Sequence, residues 1–87
     1  MEWLYWDLGS VAGGGQFEVK LRGSIARVCL MDRQEYEAYC EDEEYDFFGG
    51  FTDVSPVVCE VPYDDYWFLV VDSYSNPITV EVAQVVD

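Results

Sequence analysis

Histidine is missing from the 87-residue chain. The chain therefore lacks the commonest general base and metal-binding nitrogen, and it cannot form a Ser-His or Cys-His nucleophile pair. Neighbouring carboxylates such as Asp64 and Asp65 do not replace it, because adjacent residues on a strand point to opposite faces of a sheet. We predict that the protein is not an enzyme and uses no cofactor.

Basic residues are almost as scarce as histidine. Four bases stand against 18 acids, which gives a formal net charge of -14. All four bases precede residue 34, so residues 34–87 contain fourteen acids and no base. Self-repulsion on this scale opposes folding, and a surface that serves only solubility is ordinarily mixed in sign. The charge favours recognition of a basic partner, with a merely solubilising coat as the alternative.

Cysteines and long apolar runs are too few to indicate a secreted or membrane protein. The odd count of three, Cys29, Cys40 and Cys59, cannot close into a full disulfide framework, and reduced thiols are typical of the cytosol. The chain begins with neither a basic segment nor an apolar run of membrane-spanning length. We expect a cytoplasmic protein without membrane contact, with Cys29 and Cys59 in the core and Cys40 as the one thiol able to react.

The first strands are indicated by alternation of apolar and charged residues. Phe17, Val19 and Leu21 alternate with charges over residues 16–22, which predicts a half-buried strand. Residues 25–31 read as its antiparallel return, so the pair is predicted to form a β-hairpin.

Further strands are indicated by β-branched and aromatic residues between turn residues. They are predicted over residues 57–61, 66–72 and 78–86, with a short edge strand over 3–8. Gly13-Gly14-Gly15 and Gly49-Gly50 read as turns, because no Walker lysine accompanies them. With hydrophobic residues at 51%, the chain can build one modest core. The prediction is a mainly β fold, a single small β-sandwich of six or seven antiparallel strands forming one domain over 1–87.

One short helix is predicted near residues 33–40. Asp32 stands three residues before Glu35, the spacing of a capping box, and Tyr36 and Tyr39 fall on one face. Four acids follow at 41–44, beside the negative end of the helix dipole, where they cost stability.

Several stretches, in order, resemble the bacterial domain-of-unknown-function family DUF1883. The stretches are Asp7-Leu8-Gly9, Gly13-Gly14, Val19-x-Leu21-x-Gly23, Ala26-x-Val28-x-Leu30-Met31-Asp32, Phe48-Gly49-Gly50, Ser55-Pro56-Val57, Val61-Pro62, and Trp67 followed by Val70-Val71-Asp72. The resemblance implies a compact β-sandwich domain, in some proteins fused to TIR domains, with no established activity. It assigns no catalytic residue, and this chain is more acidic than the family generally is.

The acids at 42, 44 and 46 alternate as the first ligands of an EF-hand loop do. Phe47 stands where that loop requires glycine, and no glutamate closes it. The sequence therefore predicts no metal site.

Carboxylates at alternate strand positions lie about 6 to 7 Å apart on one face, a spacing that resembles the phosphates of a nucleic-acid strand. Such a face can occupy a groove lined with Lys and Arg. The leading hypothesis is a DNA-mimic inhibitor, encoded by a phage or mobile element, that blocks a basic nucleic-acid-binding complex such as a CRISPR effector subunit or a restriction enzyme. Direct binding to nucleic acid is excluded by the charge. The alternative is a ligand-sensing or scaffold module of the TIR-associated domain family, with a ligand cavity near Trp67 and a solvated acidic surface. Calcium binding by the acids is the third alternative.

Tyrosines beside the acids could anchor an interface. The predicted partner-binding residues are Glu35, Glu37, Glu41, Asp42, Glu43, Glu44, Asp46, Asp53, Glu60, Asp64, Asp65, Tyr45 and Tyr63.

Overall fold

Two antiparallel sheets and one helix make up the computed structural model, which describes residues 3–86. The four-stranded sheet, here sheet A, has the order β1-β6-β3-β4, and the three-stranded sheet, here sheet B, has the order β5-β2-β7. This confirms the predicted mainly β fold. The elements are β1 (Leu4–Val11), β2 (Gln16–Arg22), β3 (Ala26–Asp32), α1 (Arg33–Cys40), β4 (Phe48–Thr52), β5 (Val57–Glu60), β6 (Asp65–Asp72) and β7 (Thr79–Gln84).

The main core lies between the two sheets. Val28, Leu30 and Leu69 of sheet A form one buried cluster with Phe17 and Val19 of sheet B. These residues occupy alternate positions on their strands, so each sheet presents one apolar face to the other.

Sheet A is also buried on its outer face. Cys29, Met31 and Val70 have no exposed surface, and Tyr36 and Tyr39 of α1 pack against them. Sheet A is therefore the middle of three layers, between sheet B and α1. Burial on both faces explains why the sequence of β6 is an almost continuous apolar run, and β6 is central in its sheet, as the sequence predicted.

The predicted hairpin between residues 16–22 and 25–31 is wrong. β2 pairs with β5 and β7, whereas β3 pairs with β4 and β6 in the other sheet. Gly23, at φ 106, lies where the chain crosses between sheets, and a Cβ there would stand 2.3 Å from the carbonyl oxygen of Pro77. Two strands in which apolar and polar residues alternate can bury their apolar faces either as neighbours in one sheet or opposite each other in two packed sheets. Periodicity alone therefore does not distinguish a hairpin from a crossing between sheets.

The interpretation of Gly49-Gly50 as a turn is also wrong, because both glycines lie within β4. Gly49 has φ 127, and a Cβ at this position would stand 2.1 Å from the carbonyl oxygen of Val28 on β3. Only glycine permits this close pairing. The low strand propensity of glycine concealed β4 from the sequence analysis.

Candidate functional site

Helix α1 holds the first acidic side chains away from sheet A. The N–H of Glu35 donates to Oδ1 of Asp32 at 3.0 Å, which confirms the predicted helix cap. The Tyr36 ring stacks on Phe68 with 4.0 Å between ring centroids, so this side of the helix faces inward. Glu37 is exposed, with Oε1 3.7 Å from Nε of Arg33, a surface pair that contributes little energy.

The chain leaves α1 through a Schellman motif. The N–H of Glu43 donates to the carbonyl oxygen of Ala38 at 2.9 Å, and the N–H of Asp42 donates to that of Tyr39 at 3.3 Å. Asp42 has φ 59, the left-handed position that glycine or asparagine usually occupies. The motif turns the acidic segment back along the helix.

This return produces a cavity of about 550 Å³ that we call the acidic groove, lined by Glu35, Glu43, Glu44, Tyr45 and Asp46. The N–H of Asp46 donates to Oε2 of Glu35 at 2.9 Å, which ties the loop to the helix. At the helix end, a hydrogen bond with the neighbouring carboxyl of Glu43 raises the pKa of Glu41. Carboxylates here are crowded enough to compete for protons.

A second group of acids surrounds Tyr63. Its hydroxyl donates to Oδ2 of Asp32, and this hydrogen bond, with smaller effects from Asp65 and Glu35, raises the pKa of Tyr63 to about 12. Asp64 accepts a hydrogen bond from the N–H of Gly13 at 2.7 Å. The Tyr63 group adjoins the acidic groove through Glu35.

Two predicted site residues lie apart from these groups. Asp53 follows β4 at the end where Thr52 pairs with Ala26, roughly 20 Å along β3 from Asp32 at the strand rise of an extended chain. Glu60 lies on β5 of sheet B, where its Oε1 accepts a hydrogen bond from Nε2 of Gln16 at 3.3 Å.

The expected ladder of carboxylates on strands is wrong. Residues 41–47 form a turn and an irregular loop, and Asp64 precedes β6. Glu60 and Asp65 do lie on strands, but in different sheets. The acids are grouped by tertiary packing rather than by strand periodicity.

A buried ion pair beneath the acidic loop was not anticipated from the sequence. Nε and Nη2 of Arg27 donate to Oδ1 and Oδ2 of Asp72 at 2.8 and 2.6 Å. Asp72 also accepts hydrogen bonds from the hydroxyls of Tyr39 at 2.7 Å and Ser73 at 3.1 Å. Burial alone would raise the pKa of Asp72, but the bonds from Arg27 and Tyr39 prevail and lower it.

Tyr45, predicted as a partner contact, belongs partly to this network. Its hydroxyl accepts a hydrogen bond from Nη2 of Arg27 at 2.7 Å, and its ring is half-buried. One signal could have revealed the pair: Arg27 stands within the apolar stretch of β3 and Asp72 directly follows the apolar run of β6, and buried charges require partners.

Above this pair lies a cavity of about 380 Å³ that we call the aromatic pocket. It is lined by Trp3, Arg27, Tyr39, Asp42, Tyr45, Asp72 and Ser73. The alternative hypothesis from the sequence places a ligand cavity near Trp67, but Trp67 does not line the aromatic pocket. It is fully buried, and its ring packs against Phe48 and Tyr63.

Within residues 3–86 no helix is long and apolar enough to cross a membrane. The same part of the chain brings together no group of three or more His, Cys, Asp or Glu side chains that could hold a metal ion.

The fold and the site define a small two-sheet domain whose helix-covered face carries crowded carboxylates. The sequence profile of a family described as Domain of unknown function (DUF1883) matches residues 1–86, and the chain belongs to this family. The resemblance seen in the sequence is thereby confirmed. No curated protein and no solved structure is significantly similar to the chain.

Proposed function

We propose that the protein is a non-enzymatic acidic binding domain that occupies the basic, nucleic-acid-binding surface of a protein partner. The observation that carries the proposal is the separation of charge. The acidic groove lies on the α1 side of sheet A, and the Tyr63 group lies at the end of sheet A where Asp32 joins β3 to α1. Lys20 and Arg22 lie on sheet B, at alternate positions to the core residues of β2.

The two remaining bases each face one acid outside the acidic groove, and no ion pair within residues 3–86 includes a carboxylate that lines the groove. The charge of Arg27 is compensated by Asp72, and Arg33 lies near Glu37. A surface with uncompensated carboxylates attracts a groove lined with Lys and Arg and accelerates association with it. Such a groove ordinarily holds phosphates, so a domain bound there displaces nucleic acid.

Crowding strengthens the case for a partner over a solubilising coat. The raised pKa of Glu41 reflects proximity to Glu43, and like charges held together oppose folding. Basic side chains of a partner relieve that repulsion. The partner class we propose is a bacterial defence complex, such as a CRISPR effector subunit or a restriction enzyme, met in the host cytoplasm by an inhibitor from a phage or mobile element. This last step rests on analogy with other small acidic inhibitors.

The test compares two variants that remove equal charge. In the groove variant, Glu35→Gln, Glu43→Gln, Glu44→Gln and Asp46→Asn are combined; in the control, Glu18→Gln, Asp53→Asn, Glu60→Gln and Glu81→Gln are combined. Proteins captured from a bacterial lysate at low salt are eluted by a salt gradient, and those that bind DNA are tested for its displacement.

We expect the wild-type protein and the control to displace DNA and the groove variant to fail. If both variants displace DNA equally poorly, the effect depends on net charge and not on the acidic groove. Unchanged displacement by the groove variant, or no DNA-binding protein displaced by the wild type, contradicts the proposal.

A ligand-sensing or scaffold module is the second candidate. The aromatic pocket favours it, because cavities of this size with a few convergent polar groups are typical small-molecule sites. A small molecule that remains in the pocket through purification, with the acidic groove dispensable for function, would establish this candidate instead.

A further inference from the structure

The walls of the aromatic pocket are held in place by hydrogen bonds and ring contacts. The hydroxyl of Tyr39 is bonded to Asp72 and that of Tyr45 to Arg27. The Tyr39 ring stands nearly perpendicular to both neighbours, at 77° and 5.0 Å from Trp3 and at 88° and 4.9 Å from Tyr45. Rings fixed in this way lose little side-chain freedom when a ligand enters, which favours binding.

The ion pair in the pocket is internally satisfied. Both oxygens of Asp72 accept two hydrogen bonds each, from Arg27, Tyr39 and Ser73. Arg27 and Asp72 therefore contribute almost no net charge to the cavity.

Asp42 supplies the remaining charge. Its side chain is exposed at the cavity, and no ion pair formed within residues 3–86 includes it. The Schellman motif fixes its backbone in the left-handed conformation. The pocket thus combines three aromatic side chains with one uncompensated carboxylate.

We infer that the aromatic pocket receives a guanidinium or ammonium group, supplied by an Arg or Lys side chain of the basic partner. Cations bind over aromatic faces, and more strongly where a carboxylate is close. The guanidinium of Arg27 already lies 5.7 Å from the centroid of the Tyr45 ring, so one aromatic wall of the pocket accommodates the same group. The inference rests on the proposed function for the source of the cation, but not for its chemistry.

The chemistry is tested with free probes and the whole chain. Nα-acetyl-arginine amide, its neutral citrulline analogue and Nα-acetyl-glutamate amide are titrated while the indole N–H resonance of Trp3 is followed by NMR. Asp42→Asn removes the charge and keeps a residue suited to the left-handed position. Glu81→Gln, on β7 of sheet B, removes the same charge elsewhere.

We expect the arginine probe alone to shift Trp3, with affinity about fivefold weaker in Asp42→Asn and unchanged in Glu81→Gln. Equal binding of the citrulline analogue, binding of the glutamate probe instead, or no shift of Trp3 overturns the inference. Binding of glutamate would mark Arg27 as an anion subsite.

The source of the cation is tested by displacement of DNA from the captured partner. Asp42→Asn should be about fivefold less effective than Glu81→Gln. If both variants displace DNA equally, the pocket takes no partner side chain although the proposed function stands. If no partner is found but the arginine probe binds at Trp3, the proposed function fails and the pocket is a site for a free cation.

Discussion

Arg27 and Asp72 stand opposite each other on the paired strands β3 and β6, with Nη2 of the guanidinium 2.6 Å from Oδ2 of the carboxylate. The carboxylate is only 2% exposed. Two tyrosines and a serine complete the network, which joins α1 and the acidic loop to the centre of sheet A.

Removal of one partner of this pair should destabilise the fold strongly. We expect Arg27→Met or Asp72→Asn to lower the free energy of unfolding by roughly 3–5 kcal/mol, because each leaves a buried polar group or charge uncompensated. Urea unfolding measures the loss. The double variant Arg27→Met/Asp72→Leu should recover part of it, and a double variant as unstable as the sum of the singles would argue against coupling through charge.

Stability should depend on pH with a maximum in mildly acidic solution. The pKa of Asp72 is lowered by folding, so its contribution is present above the unfolded value of about 3.9 and is lost as pH falls below it. The pKa of Glu41 is raised, so protonation in the folded state relieves repulsion as pH falls towards its raised value. Thermal unfolding from pH 8 to pH 3 should show a rise followed by a steep fall.

Asp72→Asn provides the control for the acid limb. In this variant the fall below about pH 4 should be shallower, since the group that titrates is gone. If the melting temperature of Asp72→Asn falls as steeply below about pH 4 as that of the wild type, other carboxylates cause the loss of stability.

Asp42→Gly should stabilise the protein by about 1 kcal/mol. Glycine adopts the left-handed position of the Schellman motif without strain, and the change removes a negative charge from the negative end of the helix dipole. Asp42→Ala is the matched control, because it removes the charge and retains the strain. Equal melting temperatures for the two variants would mean that only the charge matters.

Gly49→Ala should disrupt the pairing of β4 with β3. The added Cβ would stand 2.1 Å from the carbonyl oxygen of Val28, and we expect a loss of about 1–3 kcal/mol beyond that of Gly50→Ala. At Gly50 a Cβ has no atom within 4 Å. Denaturant titration compares the two, and similar losses would point to strain in the backbone alone.

The three thiols should react at different rates with a maleimide. Cys40 is exposed, whereas Cys29 is buried and its burial raises its pKa to about 12. Burial also raises the pKa of the half-buried Cys59. Mass spectrometry should show Cys40 labelled first and Cys29 labelled only on unfolding. Rapid labelling of Cys29 in the native protein would contradict the packing of α1 on sheet A.

Local patterns in the sequence predicted much of this fold. The alternation over β2, the apolar run of β6 and the Asp32 cap of α1 all depend on neighbouring residues, and all are found in the structure. The crossing at Gly23 and the strand β4 depend on what lies opposite in space, which neither periodicity nor propensity contains. The same distinction limits the site: the sequence indicates which residues are acidic, but not that Glu35 meets Asp46 while Asp53 lies elsewhere.

The junction at Asp32 fixes the helix that forms one wall of the proposed binding face. This residue is both the last of β3 and the cap of α1, so no linker separates the helix from the strand. The orientation of α1 is therefore fixed relative to β3, and β3 is buried on both faces of sheet A. On the proposed function, a partner meets a nearly rigid helix, and discrimination among basic surfaces depends on their shape rather than on movement of this helix.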